Sequence, residues 1–212
     1  MMTQKPVRIE ERKLILAEGV DAYYFWIWAY KEWNYQGIQV LDFGGITNLR
    51  QYLDVLTSQE GFDSVESLVI MRDAEGNPDS AVDSFRDSLS QFGLTAPRLA
   101  FTYDGQGPRV AYVIFPATAD ASGNVSLRPG TLEDLCLETV REDIIMPCVD
   151  QSVACLEQVA GALKTRHKSQ LHAFLAGKSD YVGMKLGEAA RAQAWNFARP
   201  VFEIYRRVLD GM

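Results

Sequence analysis

The 212-residue chain is 47% hydrophobic and 23% charged with a net charge of −7, a composition that can bury one sizeable core. That charge, with an isoelectric point near 4.9, excludes binding nucleic acid through a broad basic surface, which needs a local excess of Lys and Arg, but not a contact mediated by a metal ion. No run approaches the ~20 apolar residues of a membrane span, so no membrane partner is expected; Cys136, Cys148 and Cys155 fit neither a disulfide framework nor a CxxC pair, and with no targeting signal the expected location is cytoplasmic.

Lys13 to Ala17 (KLILA) is a short apolar run between charged flanks, which suits a buried strand. Val20 to Asn34 contains no Gly or Pro over four turns and predicts a helix. Ile38 to Phe43 is a second strand, closed by Gly44-Gly45, and Ile46 to Ser58 then spaces Ile46, Leu49, Leu53 and Leu56 as a helix does. Val65 to Met71 is a third strand that runs into Asp73 and Glu75. Pro78 to Phe92 follows as a helix, with Pro at its start, acids in its first turn and Gly93 past its end. Strands alternating with helices in this way predict an α/β fold with a mostly parallel sheet and helices on both faces.

Farther along, Arg98 to Tyr103 and Arg109 to Phe115 flank Asp-Gly-Gln-Gly-Pro and predict a hairpin with a five-residue loop. Ala117 to Gly130 reads as an exposed loop. Leu132 to Ile145, Val149 to Leu163, Lys168 to Ala176, Leu186 to Asn196 and Val201 to Leu209 predict helices. The organisation expected is an α/β domain over 1–130 and a helical C-terminal extension over 131–212 packed on the same core.

In a parallel sheet, ligands gather at the carboxyl ends of the strands. Glu18 follows the first strand, Asp42 ends the second, and Asp73 and Glu75 follow the third. Carboxylates gathered there repel one another unless a cation, an Arg or Lys, or protonation relieves them, and such hard oxygen ligands suit Mg²⁺ or Mn²⁺.

Ala17-Glu18-Gly19, Gly44-Gly45-Ile46-Thr47-Asn48-Leu49 and Asp73-Ala74-Glu75, each after a strand, resemble the Toprim domain of topoisomerases, bacterial primases, recombination-repair proteins and OLD-family nucleases. With Pro129-Gly130-Thr131-Leu132-Glu133-Asp134-Leu135 and Leu186-Gly187-Glu188-Ala189-Ala190, the chain is most similar to a small prokaryotic group of stand-alone Toprim-like proteins related to the OLD-family nucleases. The resemblance covers nearly the whole chain and implies a Toprim-like sheet followed by a helical layer. It implies Glu18, Asp73 and Glu75 as catalytic and Mg²⁺-binding acids, Glu18 serving either the metal or proton transfer, with Glu133 as a further metal ligand. Gly44, Gly45 and Asn48 are the implied cofactor-binding turn. The activity it implies is Mg²⁺-dependent phosphoryl transfer on nucleic acid, nuclease-like; the alternative is a non-catalytic module that binds nucleotide, nucleic acid or a protein partner.

Two positions depart from the family's pattern. Glu75 stands where an aspartate is usual, and Ala22 stands where many nuclease members carry an acid, with Asp21 one residue early. Several other features have plain structural readings. Trp26, Trp28 and Trp33 suit packing against a sheet, Lys164 to Lys168 a solvated helix end, and the cysteines small core positions. A homodimer through the C-terminal helices is a further expectation.

Overall fold

The computed structural model describes residues 7–212. The strands β1 (Lys13–Ala17), β2 (Ile38–Asp42), β3 (Ser67–Asp73) and β4 (Arg109–Phe115) form one sheet in the order β2-β1-β3-β4, with every pairing parallel. Between them run α1 (Gly19–Glu32), α2 (Leu49–Thr57) and α3 (Pro78–Gln91). A short antiparallel hairpin, β5 (Ala117–Ala119) and β6 (Val125–Leu127), leads into α4 (Leu132–Thr139), α5 (Met146–Ala160), α6 (Arg166–Ala176), α7 (Leu186–Arg191) and α8 (Glu203–Asp210). The α/β class, the parallel sheet and the C-terminal helices are those the sequence predicts.

The alternation of side chains along a strand divides the core in two. Leu14, Leu16, Leu68, Ile70, Tyr112 and Ile114 face α2 and α3, where they meet Leu53, Leu56, Phe85 and Leu89. Ile15, Ala17, Val69, Met71, Val113 and Phe115 face the other way, onto α1 and the C-terminal helices, among them Phe25, Trp26, Phe174, Trp195 and Tyr205. Both faces of the sheet are covered, which is why its strands read as continuous apolar runs. Each large side chain buried this fully contributes about 1.5–3 kcal/mol.

The strand order places a change of direction between β1 and β3. From β1 the chain goes outward to β2; from β3 it goes the other way, to β4. Such a switch opens a crevice beyond the carboxyl ends of the two central strands. Glu18 and Asp73 stand at those two ends, and the ladder between them extends past β1 through the Glu18 N–H to the Met71 carbonyl at 3.2 Å.

Four local readings are corrected. Arg98 to Tyr103 is not a strand: Phe101 has φ of 63° and the segment turns, while β4 takes its partner from β3 in parallel. Among the described residues, a bridge between Asp104 and Val110 and the bond from the Phe101 N–H to the Tyr112 carbonyl at 2.9 Å lie along β4's outer edge. They cover it as an edge strand requires. The stretch read as a loop over 117–130 contains the β5–β6 hairpin. The helices begin and end differently: α4 stops at Thr139, and Pro147 lies inside the first turn of α5, where a missing N–H costs nothing. Of the cysteines, Cys136 is buried as expected, but Cys148 and Cys155 are exposed.

The tryptophans divide. Trp26 is fully buried beside Phe25, Phe115 and Tyr205, and Trp33 donates its ring N–H to the Phe197 carbonyl at 3.0 Å. Trp28 is only half-buried, with Lys31 and Arg191 over its ring. No helix among the described residues is long and apolar enough to cross a membrane.

Candidate functional site

Asp73 is the last residue of β3, and its carboxylate accepts the backbone N–H of Leu132 at 2.7 Å. The donor belongs to the first turn of α4, whose start is set by its own sequence. Thr131 and Asp134 form a capping box, the Thr131 N–H donating to the Asp134 carboxylate at 2.8 Å. Just before it, Gly130 has φ of 141°, and a Cβ there would stand 2.9 Å from Pro116 side-chain carbons. The Pro-Gly-Thr-Leu-Glu-Asp-Leu stretch thus turns the chain closely and aims a helix N-terminus at Asp73.

The Asp73 carboxyl is pushed up to about 8, by burial first and by the neighbouring Glu133 next; the Leu132 N–H works the other way, while Glu18 and Glu75 add smaller upward shifts. Three of the expected site acids therefore lie close enough to act on the fourth. Cys136 lies beneath them, fully buried, its thiol pushed up by burial first and then by Glu133, Asp73, Asp21 and Asp134.

Glu18 is the N-cap residue of α1 and lies 3.5 Å from the Arg72 guanidinium, with side chains 18% and 8% exposed respectively. Arg72 also donates to the Asp73 carbonyl at 3.2 Å and lies over the Phe85 ring. It is the functional candidate the sequence reading omits. A charged residue between Met71 and Asp73, inside a strand that is buried along its length, is the signal that could have found it, because a buried arginine needs an acidic partner.

Glu133, near the start of α4, lies 3.5 Å from Lys168 of α6, so one cation of the Lys164 to Lys168 run reaches the acids. Glu75 is exposed at the rim with φ of 53°, and its backbone exchanges two 2.8 Å bonds with Gly130. A non-glycine residue in the left-handed region carries strain, held here by the bridge to Gly130. Ala22 is buried, and Asp21 accepts the Gly187 N–H at 3.3 Å, so Asp21 ties α1 to α7.

Asp42 organises the neighbouring turns. One of its oxygens accepts the N–H of Gly19 at 3.0 Å and of Gly44 at 2.7 Å, joining the turn after β1 to the turn after β2. Gly44 has φ of 75°, and a Cβ there would meet the Asn48 side chain at 2.8 Å. The Asn48 N–H donates to the Gly45 carbonyl at 2.8 Å. Two N–H groups of the expected cofactor-binding turn, those of Gly44 and Asn48, thus have acceptors inside the protein.

The donor set suits a hard divalent cation in its chemistry. It is made of carboxylates, and the buried one among them is held toward its neutral form by burial first and by its acidic neighbours next. Among the described residues no group of three or more His, Cys, Asp or Glu side chains stands where it could hold a metal ion. An ion here would take one or two direct carboxylates and fill its remaining positions with water, which is the usual habit of Mg²⁺.

Searches of the curated proteins and of the solved structures give no match. The family model described as Protein of unknown function (DUF3226) matches residues 12–211, almost the whole length, and the chain belongs to that family.

Proposed function

We propose that this is a Toprim-like, Mg²⁺-dependent enzyme of phosphoryl transfer acting on nucleic acid in the cytoplasm, with Glu18, Asp73 and Glu75 as its working acids, Glu133 beside them, and one or two of these carboxylates as direct ligands of the ion. The observation that carries the reading is the placement of Glu18 and Asp73 on adjacent central strand ends, at the point where the sheet's order changes direction. Free cysteines accord with a reducing compartment.

When bound, Mg²⁺ would neutralise charge on a phosphodiester and orient the attacking oxygen. The chain's own residues have distinct tasks. Arg72 fixes the Glu18 carboxylate, and the Leu132 N–H fixes that of Asp73. Without the ion the Asp73 carboxyl is held near 8, so Mg²⁺ would have to displace a proton from it near neutral pH. The acidic surface means that nucleic acid would be engaged through the metal rather than through a basic groove.

Calorimetric titration with Mg²⁺ and Mn²⁺, followed by nuclease assays of the wild type and Glu18→Ala, tests the reading. Binding together with Glu18-dependent cleavage supports it; no metal binding and no Glu18-dependent activity overturns it. A second reading, a non-catalytic module binding nucleotide, nucleic acid or protein, is favoured by the cations already set against Glu18 and Glu133, which relieve those acids without a metal. Under that reading Asp73→Asn leaves partner binding unchanged.

A further inference from the structure

Of the 15 residues of α5, only Met146, Val149 and Val153 are buried. The helix has two acids, Asp150 and Glu157, and both lie on the flank toward α6: Gln170 donates to Asp150, and Arg166 pairs with Glu157 at 3.4 Å. The opposite flank is uncharged. At about 100° per residue, Cys148, Ser152, Cys155 and Val159 fall within an arc of about 60°, all of them exposed. Ile144, 88% exposed just before the helix, and Val159, 86% exposed near its end, close the stripe with apolar side chains. Three turns of exposed helix without a charge are unusual on a chain of net charge −7, and depletion of charge is the compositional mark of an interface core.

The stripe also says what covers it. Ile144 and Cys148 precede the midpoint between Gln151 and Ser152 by the same numbers of positions by which Val159 and Cys155 follow it. Two such helices laid antiparallel about a two-fold axis at that midpoint bring Ile144 against the partner's Val159, and Cys148 against the partner's Cys155. A self-complementary contact requires that arrangement; a foreign partner does not. Charge selects the same face, because two copies of net charge −7 repel and approach best where neither presents an acid.

We propose that the chain forms a homodimer by antiparallel pairing of the uncharged face of α5 about a two-fold axis between Gln151 and Ser152. The contact is about 22 Å long, one helix of 15 residues, and falls in the small interface class of about 1,200 Å² or less, so the dimer is weak and concentration-dependent. The inference is independent of the chemistry of the acids.

Sedimentation of the full chain under reducing conditions, from about 5 to 500 μM across the range expected of such an interface, reads it directly. The expected result is a shift from monomer to dimer within that range. Val159→Glu and Ile144→Lys alone should each weaken association tenfold or more, with circular dichroism unchanged. Combined in one chain, they set opposite charges across the two-fold contact and should restore association toward the wild-type level. A wild type that stays monomeric throughout, single variants that dimerise as the wild type does, or a double variant no better than either single one would overturn the proposal.

Discussion

The carboxylate of Asp73 accepts the N–H of Leu132 at 2.7 Å, so the end of the third strand and the start of the fourth helix meet in one hydrogen bond. That bond favours the charged carboxylate, yet burial and Glu133 outweigh it and carry the group up to about 8. A helix N-terminus offers about 0.3–1 kcal/mol to an acid at ordinary exposure, up to about 2 kcal/mol where partly buried. Desolvation of a buried carboxyl is the larger effect.

This gives a pH dependence with a definite sign. The folded protein holds a proton on Asp73 that the unfolded chain releases near 4, so stability is greatest at low pH with respect to this group and falls as pH rises toward 8. The loss is at most about 1.4 kcal/mol per pH unit within that window. Melting temperatures in EDTA between pH 5 and 9 should therefore decline for the wild type and decline less for Asp73→Asn, which keeps the acceptor for Leu132 without the charge. Added Mg²⁺ should raise the wild-type value more at pH 8 than at pH 6, because the cation competes with the proton. Equal slopes in the two proteins would refute this.

The Arg72–Glu18 pair predicts a second outcome. Removing one member of a buried pair leaves the other's charge unrelieved, with a cost of about 3–5 kcal/mol for full burial; Glu18 is 18% exposed, so about 2–3 kcal/mol is expected for Arg72→Met. Glu18→Gln in the same chain should recover part of that loss. Urea unfolding of the two single variants and the double variant forms the cycle that checks it. A loss in the double variant equal to the sum of the single losses would show that the two side chains do not interact.

Much of this site is written in the sequence, but unevenly. Glu18 and Asp73 are legible because each ends a short apolar run, and a buried strand's carboxyl end is where a parallel sheet opens. Arg72 is not, because its meaning depends on Glu18 from a different strand end. Lys168 is likewise assigned to a solvated helix end until α6 is seen beside α4. The false hairpin has a similar cause: Asp-Gly-Gln-Gly-Pro between apolar runs is a good local turn signal, and nothing in Arg109 to Phe115 says that its partner is β3. Periodicity gives an element and its buried face; which neighbour it takes is decided by contacts distant in sequence.

Asp42 predicts a loss that spreads over two turns. A single oxygen accepts the N–H groups of both Gly19 and Gly44, and hydrogen bonds to a charged group contribute about 1.5–3 kcal/mol each. Asp42→Ala should destabilise the protein by about 3 kcal/mol, the lower end of that scale for two bonds at a half-buried position. It should also speed amide exchange at Gly19 and Gly44 together. Asp42→Asn, which keeps an acceptor oxygen, should cost less than half as much. Independent exchange at the two glycines would show that the turns are not held through Asp42.

The last prediction concerns Gly187, where two effects of opposite sign compete. Alanine in place of a helical glycine ordinarily stabilises by about 1 kcal/mol. At Gly187 in α7, however, a Cβ would stand 2.6 Å from the Tyr24 Cβ and 3.1 Å from the Asp21 carbonyl oxygen, both anchored to the backbone of α1. Neither atom is the far end of a flexible side chain, so the helices must separate, and overpacking of this kind costs about 1–3 kcal/mol or more. Separation also lengthens the bond from the Gly187 N–H to Asp21. Steric cost therefore outweighs propensity, and Gly187→Ala should lower the melting temperature by several degrees, at ~2–4 °C per kcal/mol for a chain of this size. Gly76→Ala, where a Cβ meets nothing within 4 Å, is the control and should leave it nearly unchanged. A Gly187→Ala variant as stable as the wild type would mean that α1 and α7 are not held in the close approach that their backbones show.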